Sequence, residues 1–425
     1  RSLVVEMRQF ESRDGQMIIG GVKATDIVSK YGSPVYVTDE EAVRNNYRRV
    51  HSAFAKHMPT RINYACKANS NLAILRILEQ EGSCIDAVSI GEVETCLRAG
   101  YSPDRILYTG VNVSTQELKG IVGRRVPINV DSFSELRRLA TISTDVPISF
   151  RVNPEIGSGH HEKVVTGSRS TKFGIPLNSI MEAYSEALQL GFRPVGLHFH
   201  LGSGGQDIEP FLKGTDVLVS ISQRLEAELG LGMKFIDIGG GIPIPYHPEE
   251  APMDLDRLAE EVTSRIKNGT SAQQIVLEPG RSIVADSTVL LTTVVDVKET
   301  PDKMFAGVDA GFNTLVRPAF YGSYHHVAVA NKFDRPGEIT YDVVGPLCET
   351  GDHLARERLL PKVEEGDVIC VYDAGAYGFS MSSNYNMRPL PREVLVNKGE
   401  VNLIRERESV DELLRHQRLP SRLML

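Results

Sequence analysis

The 425-residue sequence lacks any apolar run that approaches the ~18 residues of a membrane-spanning helix. It also lacks the positively charged start and hydrophobic core of a secretory signal peptide, and it has no tract of low complexity. Positive charge is not in excess, since the net charge is −8. We therefore expect a cytoplasmic protein that has no general attraction for nucleic acid or for anionic membranes.

Cysteine is scarce, and no two cysteines form the CxxC pair of a zinc or redox site. An odd number at scattered spacings favours small buried hydrophobes in a reducing compartment. Cys348 is an exception because it lies in a longer motif that is considered below. The five cysteines are Cys66, Cys84, Cys96, Cys348 and Cys370.

The chain is longer than one hydrophobic core usually supports, so two domains are expected. Between about 60 and 280 it repeats a short β-branched run, a polar or glycine-rich turn and a helical period. Eight such units in a row predict a (β/α)₈ barrel over 39–285, with its chemistry at the carboxyl ends of the strands. The strand candidates are "RINYACK", "CIDAV", "ILYTG", "PINVD", "PISFRVNP", "PVGLHFH", "FIDIGG" and "QIVLEPG".

The sequence pattern changes after residue 285. From there on, alternating β-branched runs are bounded by turn residues, and there is little helical periodicity. This pattern predicts a separate β domain over 286–425, a β-sandwich or β-barrel, to which the segment 1–38 adds a strand. Ser409 and Glu412 have capping-box spacing and predict a short helix near the end. The strand candidates are "STVLLTTVVDVKE", "KMFAGVDAG", "HHVAVANK", "ITYDVVGP" and "DVICVYDAGAY".

Lys67 lies at the end of the first predicted barrel strand, in "INYACKAN". Desolvation disfavours an ammonium ion, and a neutral lysine amine forms a Schiff base with a carbonyl. A single strand-end lysine is more often simply exposed to solvent, so other features must support this interpretation.

Glycine-rich turns follow the seventh and eighth predicted strands. Gly239–Gly241 in "DIGGGIPIPY" allow backbone N–H groups to approach an anion closely, although a glycine triplet is also typical of a tight turn. In "LEPGRSIVA", Gly280 can admit a phosphate and Arg281 can bind a phosphate or a carboxylate. Glu278 before them would need a cationic partner, and a protonated pyridine nitrogen would serve.

His198 and His200 in "GLHFHLGSGG" are two residues apart, so on a strand they point to the same face. Such a pair suits a zinc hydrolase, but the sequence shows no obvious third and fourth ligand. The alternative is that His200 stacks on a flat cofactor while Ser203 binds its phosphate.

This order of residues resembles the fold-type III pyridoxal-phosphate enzymes, which pair an alanine-racemase-like barrel with a C-terminal β domain. Three motifs of the second domain closely resemble the diaminopimelate decarboxylase family within that class. They are "LVRPAFYGSYHH", "VVGPLCETGD" and "DAGAYGFSMSSNYNMRPLPREVLV", so the resemblance covers nearly the whole chain.

The resemblance implies pyridoxal 5'-phosphate as cofactor, held by Lys67 through a Schiff base. Asp86 would lie near the cofactor ring, His200 would stack on it, and Glu278 would keep the pyridine nitrogen protonated. The phosphate would be bound by Ser203, the Gly239–Gly241 and Gly280 backbone and the Tyr377 hydroxyl, with Arg281 close to the cofactor.

In the second domain the resemblance implies that Arg317, Tyr321 and Tyr377, together with Arg281, bind the substrate. Cys348 would donate the proton and Glu349 would pair with a substrate ammonium, both across a homodimer with shared sites. The implied reaction is decarboxylation of meso-2,6-diaminopimelate to L-lysine, the last step of lysine biosynthesis. Two arginines suit its distal carboxylate, whereas ornithine would place a like charge against Arg317.

Several alternatives stay open at this stage. The same fold could decarboxylate D-ornithine, D-lysine, carboxynorspermidine or a carrier-bound glutamyl group. A racemase would need a second base, which Cys348 does not resemble, and a non-catalytic pyridoxal-phosphate carrier would lack the second domain. Met387 and Gly205 depart from the family pattern and leave the fine substrate preference in doubt.

Overall fold

The computed structural model describes residues 8–156, 166–202 and 205–424. The chain forms two compact units. One comprises Ala42–Pro245 and Glu249–Ala285, and the other comprises Tyr246–Pro248 with the described residues before 42 and after 285. None of the helices in these described ranges is both long and apolar enough to cross a bilayer.

The N-terminal elements belong to the second unit. β1, β2 and β3 form a small antiparallel sheet, which α1 follows. The predicted N-terminal strand of the β domain is β4, which pairs with strands of the second unit's larger sheet. The bounds are β1 (Glu11–Arg13), β2 (Gln16–Ile19), β3 (Val22–Lys23), α1 (Ala24–Tyr31) and β4 (Val35–Asp39).

A closed barrel of eight parallel strands forms the first unit, as predicted. Around the barrel the strands pair in chain order, from β5 to β9 and then from β11 to β13, with β9 next to β11. The sheet closes because β13 pairs with β5. The short β10 adds to β9 outside this ring. The strands are β5 (Thr60–Ala65), β6 (Cys84–Ala87), β7 (Ile106–Tyr108), β8 (Ile128–Val130), β9 (Ile148–Asn153), β10 (Ile175–Pro176), β11 (Gly196–His198), β12 (Phe235–Asp237) and β13 (Gln274–Leu277).

The barrel strands are buried along nearly their whole length, as expected for a parallel sheet covered by helices. Three successive helices, α4 to α6 below, begin at serines whose hydroxyls accept a backbone N–H three residues on, which satisfies a free helix-end donor. The helices are α2 (Glu40–Ala55), α3 (Leu72–Gln80), α4 (Ile90–Arg98), α5 (Thr115–Gly123), α6 (Phe133–Ala140), α7 (Ile180–Gln189), α8 (Glu209–Leu229), α9 (Leu255–Gly269) and α10 (Arg281–Val284).

The second unit is built on a mixed sheet in which the N-terminal β4 lies between β14 and β20. Two short helices, α11 (Arg317–Tyr321) and α12 (Val410–Leu414), accompany it, and the predicted capping box of Ser409 and Glu412 begins α12. The strands are β14 (Thr288–Glu299), β15 (Met304–Val308), β16 (Val327–Val329), β17 (Ile339–Val344), β18 (His353–Leu360), β19 (Val368–Val371), β20 (Arg392–Asn397) and β21 (Glu400–Arg405).

Five of these strands follow the predicted runs, but β18, β20 and β21 were not predicted as strands. β18 has the sequence HLARERLL, and several of its charged residues are exposed. β21 is mostly exposed as well. Since only part of each strand packs on the core, neither shows an extended apolar or β-branched run.

Candidate active site

Lys67 lies in one short turn of 3-10 helix, Cys66–Ala68, that follows β5. The residue is exposed in the chain alone. Its positive charge nevertheless acts on the buried Asp86 and Glu278, because it favours the ionised form of both carboxyls. The amine and the acidic residues therefore occupy the same end of the barrel.

Glu278 follows β13 directly and is buried. Its Oε1 atom lies 2.5 Å from Nε2 of His198, the last residue of β11. Burial alone would raise the pKa of Glu278, but interaction with His198, helped by Arg151 and Lys67, lowers that pKa below its ordinary value. The other oxygen, Oε2, is buried and accepts no N–H or hydroxyl O–H from the described residues.

His198 is held in place from its other ring nitrogen. The side-chain amide of Asn129 contacts Nδ1 at 3.0 Å, and Ser149 donates to Oδ1 of Asn129 at 2.9 Å. All three side chains are buried. Because Nδ1 accepts from Asn129, the Nε2–H of His198 is directed at Glu278.

Two further buried carboxyls lie near Glu278, and both behave oppositely to it. Burial and the negative charge of Glu278 raise the pKa of Asp86, although the Thr109 hydroxyl donates to its Oδ1 atom. The same two causes raise the pKa of Asp237 well above its ordinary value. Negative charge at this end of the barrel is therefore concentrated on Glu278.

His200 lies beyond the end of β11 and is partly buried. Its Nδ1 atom accepts the backbone N–H of Gly240 at 3.0 Å, which fixes the plane of the ring. Burial, followed by the charges of Lys67 and Arg151, lowers the pKa of His200 well below its ordinary value. The ring is therefore neutral, which suits stacking on a flat cofactor.

Two of the three N–H groups of the glycine triplet have acceptors within the barrel unit. Gly239 donates to Oδ1 of Asp237 at 2.8 Å, and Gly240 donates to His200. Close packing explains the glycines, since a Cβ atom on Gly240 would lie 2.3 Å from the Glu278 carbonyl oxygen. A Cβ atom on Gly280 would lie 3.0 Å from that of Ala68.

Arginine side chains complete the polar end of the barrel. Arg281 begins α10 and is 7% exposed. Arg151 ends 4.4 Å above the ring of Phe173, and burial lowers its pKa even though Asp131 opposes this effect. Ser203, predicted to bind phosphate, lies outside the described residues.

The positions of His198, Asp237 and Glu278 can be compared with the geometry of a zinc site. One side-chain atom each from His198, Asp237 and Glu278 lie within 4.8 Å of one another. However, tetrahedral zinc ligands at ~2.1 Å from the metal would be about 3.4 Å apart, whereas Nε2 of His198 and Oε1 of Glu278 are separated by 2.5 Å. These two atoms make a short hydrogen bond with each other.

In the second unit, Arg317 is almost completely buried at 1% exposure. It donates to Nε2 of His325 and to the Ser323 hydroxyl, each at 3.3 Å, and its guanidinium lies 5.0 Å from the ring centre of Tyr246. Tyr321 is partly buried, and its hydroxyl contacts the Met381 sulfur at 3.9 Å. These contacts fix the orientation of the Arg317 guanidinium.

Cys348 and Glu349 are both exposed and are held by the segment around Asn386. The Cys348 N–H donates to Oδ1 of Asn386 at 3.2 Å, and the Tyr385 hydroxyl donates to Glu349 at 2.6 Å. Asn386 and Met387 both have positive φ, at 58° and 56°. Tyr377 also has positive φ, 57°, a conformation that costs energy for a bulky side chain and often marks a functional site.

Sequence reasoning missed three residues of the barrel site: Asn129, Ser149 and Asp237. A signal was present, because each is a polar residue inside an otherwise apolar strand run. Buried polar groups of this kind need partners, which suggests a network inside the barrel.

Residues 40–285 match the family model described as "Pyridoxal-dependent decarboxylase, pyridoxal binding domain". This range contains the barrel strands and every barrel residue discussed above. The chain therefore belongs to the pyridoxal-dependent decarboxylase family, whose cofactor is pyridoxal phosphate.

Relatives of known name narrow this class. The diaminopimelate decarboxylase of Methanothermobacter thermautotrophicus is 51% identical over 96% of this chain and 97% of its own length, and that of Archaeoglobus fulgidus is 46% identical over 98% and 100%. A structure of the Methanocaldococcus jannaschii enzyme with L-lysine has a TM-score of 0.92 at 35% identity, covering 98% of this chain and 99% of that one. Within the family, the chain is a member of the diaminopimelate decarboxylases.

Proposed function

We propose that the chain catalyses the pyridoxal-phosphate-dependent decarboxylation of meso-2,6-diaminopimelate to L-lysine and carbon dioxide, the last step of lysine biosynthesis. The names of its near-full-length relatives support this reaction. The M. jannaschii and Helicobacter pylori structures were determined with L-lysine bound, which is the product of that reaction.

One observation in the barrel carries the cofactor part of the proposal. Oε2 of Glu278 is buried and accepts no N–H or hydroxyl O–H from the described residues, although Oε1 is bonded to His198. Leaving a buried acceptor unsatisfied costs about 1–3 kcal/mol, and more when it is charged. A protonated pyridine nitrogen is a positively charged donor on a planar ring, and it could supply the hydrogen bond that this carboxylate oxygen lacks.

When bound, pyridoxal phosphate supplies the electron sink that accepts the charge left when carbon dioxide departs. Lys67 would hold its aldehyde covalently, and Glu278 would keep its ring nitrogen protonated. His200 would stack on the ring as a neutral imidazole, with Asp86 close to the ring. The phosphate is proposed to bind to the Gly239–Gly241 loop, the Gly280 backbone, Arg281, Ser203 and the Tyr377 hydroxyl.

Substrate recognition is proposed for Arg281, Arg317, Tyr321 and Tyr377. The fixed guanidinium of Arg317 supports this role, since a bidentate carboxylate contact requires a defined orientation. Glu349 would pair with the substrate ammonium remote from the reacting carbon. Exposure of the Cys348 thiol supports its role as the proton donor to the carbon that loses carbon dioxide.

Cys348 and Glu349 are proposed to act in the site of a second copy of the chain, so that the functional unit is a homodimer. Their exposure supports this arrangement, because both side chains are available to another subunit. The proposed domains are the cofactor-binding barrel of 39–285 and the β domain of 286–425, joined by 1–38. Cytoplasmic location is proposed from the nature of the reaction.

The proposed substrate is tested by measuring carbon dioxide release from pure protein with added cofactor. The panel contains meso-2,6-diaminopimelate, D-ornithine, D-lysine, carboxynorspermidine and a carrier-bound glutamyl group. We expect kcat/KM for diaminopimelate to exceed the others by at least about 30-fold, the worth of one buried carboxylate–arginine pair. Faster turnover of another substrate would contradict the proposal.

A matched variant connects this preference to Arg317. Arg317→Met keeps the length and apolar stem of the side chain but removes the guanidinium. We expect this variant to lose most of its preference for diaminopimelate over D-lysine, which has no distal carboxylate. An unchanged ratio of the two kcat/KM values would show that Arg317 does not recognise the substrate.

A further inference from the structure

Resting on the proposed function, we infer that His198 is a positioning residue that holds Glu278 as an anion by donating its Nε2–H. Asp237 beside it stays a neutral acid, so that the only negative charge of this cluster is on Glu278. Neither His198 nor Asp237 touches the cofactor in this arrangement. Both act through Glu278.

The first support is the position of these residues in the barrel. His198 and Asp237 are paired in register on the neighbouring strands β11 and β12, and Asp237 is paired with Val276 of β13, two residues before Glu278. Three adjacent strands therefore present the three side chains at similar heights. One side-chain atom from each lies within 4.8 Å of the other two.

The second support is that the polar layer continues across the other side of β11. Ser149 of β9 donates to Asn129 of β8, and Asn129 contacts His198. The layer thus crosses five neighbouring barrel strands, and all five of its side chains are no more than 4% exposed. A buried polar layer is costly unless each member has a partner, so its members are fixed relative to one another.

The third support concerns the two carboxyl groups. Two buried carboxyls this close do not both ionise at neutral pH, because their charges repel in a medium of low dielectric constant. Glu278 receives the ring N–H of His198, whereas Oδ1 of Asp237 receives only the backbone N–H of Gly239. The side chain of Asp237 also forms a hydrogen bond with that of Glu278, which helps to raise the pKa of Asp237, so the proton of this pair is on Asp237.

The consequence for the reaction is specific. An anionic Glu278 accepts a hydrogen bond from a protonated ring nitrogen through Oε2. A neutral Glu278 would leave that nitrogen unprotonated. His198 and Asp237 therefore set the protonation state of a cofactor that neither residue contacts.

The experiment uses protein loaded with pyridoxal phosphate labelled with ¹⁵N at the ring nitrogen, whose chemical shift reports protonation. His198→Gln keeps an N–H donor near the Nε2 position, while His198→Asn is a chemically similar amide too short to reach Glu278. Asp237→Asn replaces a carboxyl group by a neutral group of the same shape. Glu278→Gln is the reference for a lost anion.

We expect a protonated ring nitrogen in the wild type, His198→Gln and Asp237→Asn, and an unprotonated one in His198→Asn and Glu278→Gln. Turnover should fall by about 10- to 100-fold in His198→Asn, the worth of one hydrogen bond to a charged group, and recover largely in His198→Gln. A protonated nitrogen in His198→Asn would overturn the role of His198. An unprotonated nitrogen in Asp237→Asn would overturn the neutral state of Asp237.

A measurement on the wild-type protein tests the inference even if the variants do not fold. The Nε2 atom of His198, observed by ¹⁵N NMR of the wild type, should carry a proton, and an unprotonated Nε2 would refute the inference. The substrate panel separates the two proposals. If no amino acid is decarboxylated while the ring nitrogen responds as expected, the proposed function fails alone. If diaminopimelate is decarboxylated but His198→Asn keeps a protonated ring, the inference fails alone.

Discussion

The backbone N–H of Gly240 donates a hydrogen bond to Nδ1 of His200 across 3.0 Å. A glycine after β12 thereby orients an imidazole after β11, and the ring nitrogen that accepts this bond has no proton of its own. The low pKa of His200 keeps the ring neutral. The loop therefore orients the imidazole that is proposed to stack on the cofactor.

Gly240→Ala should weaken both folding and cofactor binding. The new Cβ would lie 2.3 Å from the Glu278 carbonyl oxygen and 3.3 Å from Cε1 of His200, so the backbone must shift. We expect a loss of about 1–3 kcal/mol in the free energy of unfolding, measured by chemical denaturation, together with weaker cofactor binding. Gly123→Ala is the control, since its Cβ meets nothing within 4 Å. Equal stability of the two variants would contradict this account.

The neutral state of His200 predicts how stability depends on pH. In the unfolded chain this histidine is protonated below about pH 6.5, while in the folded chain it resists protonation. The contribution is therefore fully present above pH 6.5 and is lost as the pH falls below it, by up to about 1.4 kcal/mol per pH unit.

Chemical denaturation at pH 7.5 and pH 5.5 measures this difference in cofactor-free protein. His200→Asn keeps an acceptor for the Gly240 N–H but has no titrating group. We expect the wild type to lose more stability than this variant between the two pH values. The same loss in both proteins would show that His200 does not titrate as described.

Lys67→Ala should abolish covalent attachment of pyridoxal phosphate. The wild-type protein should be yellow, and after borohydride reduction peptide mapping should find the cofactor on Lys67. Turnover of the variant should fall by at least about 10²-fold, since the amine is also proposed to take part in proton transfer. Lys56→Ala, which alters another exposed lysine, is the control. A colourless, zinc-loaded wild type would instead restore the metal-hydrolase alternative.

Mixing two inactive proteins tests the shared sites. Lys67→Ala and Cys348→Ala should each be inactive as homodimers, because each lacks one essential group in both sites. Random exchange makes half of the dimers mixed, each with one intact site, so we expect roughly a quarter of wild-type activity. No recovery, with exchange demonstrated by mass spectrometry of tagged chains, would place Cys348 and Lys67 in the same subunit's site.

The barrel was predictable because its signal is local and repeated. A strand run such as "PINVD", which contains β8, is mostly apolar and is followed by a turn residue and a helical period. The capping box at Ser409 was predictable for the same reason, since its two partners are three residues apart. The family resemblance added the cofactor and the reaction, which no periodicity could supply.

The partners of Glu278 could not be predicted, because they depend on how the barrel closes. His198 is 80 residues away in sequence, and its bond to Glu278 exists only because β11 and β13 flank β12. The exposure of Lys67 was likewise hidden, since a strand-end position does not reveal how much of the side chain its surroundings cover. Distances across strands are set by tertiary structure, and sequence spacing does not contain them.

The position of β4 between β14 and β20 has a consequence for folding during synthesis. This strand pairs with β14 and β20, so residues near 37 wait for partners near 289 and 394. At typical rates of synthesis the ribosome needs tens of seconds to deliver those partners. During that interval the whole barrel is made, so β4 must remain unpaired with them while the sequence between is translated.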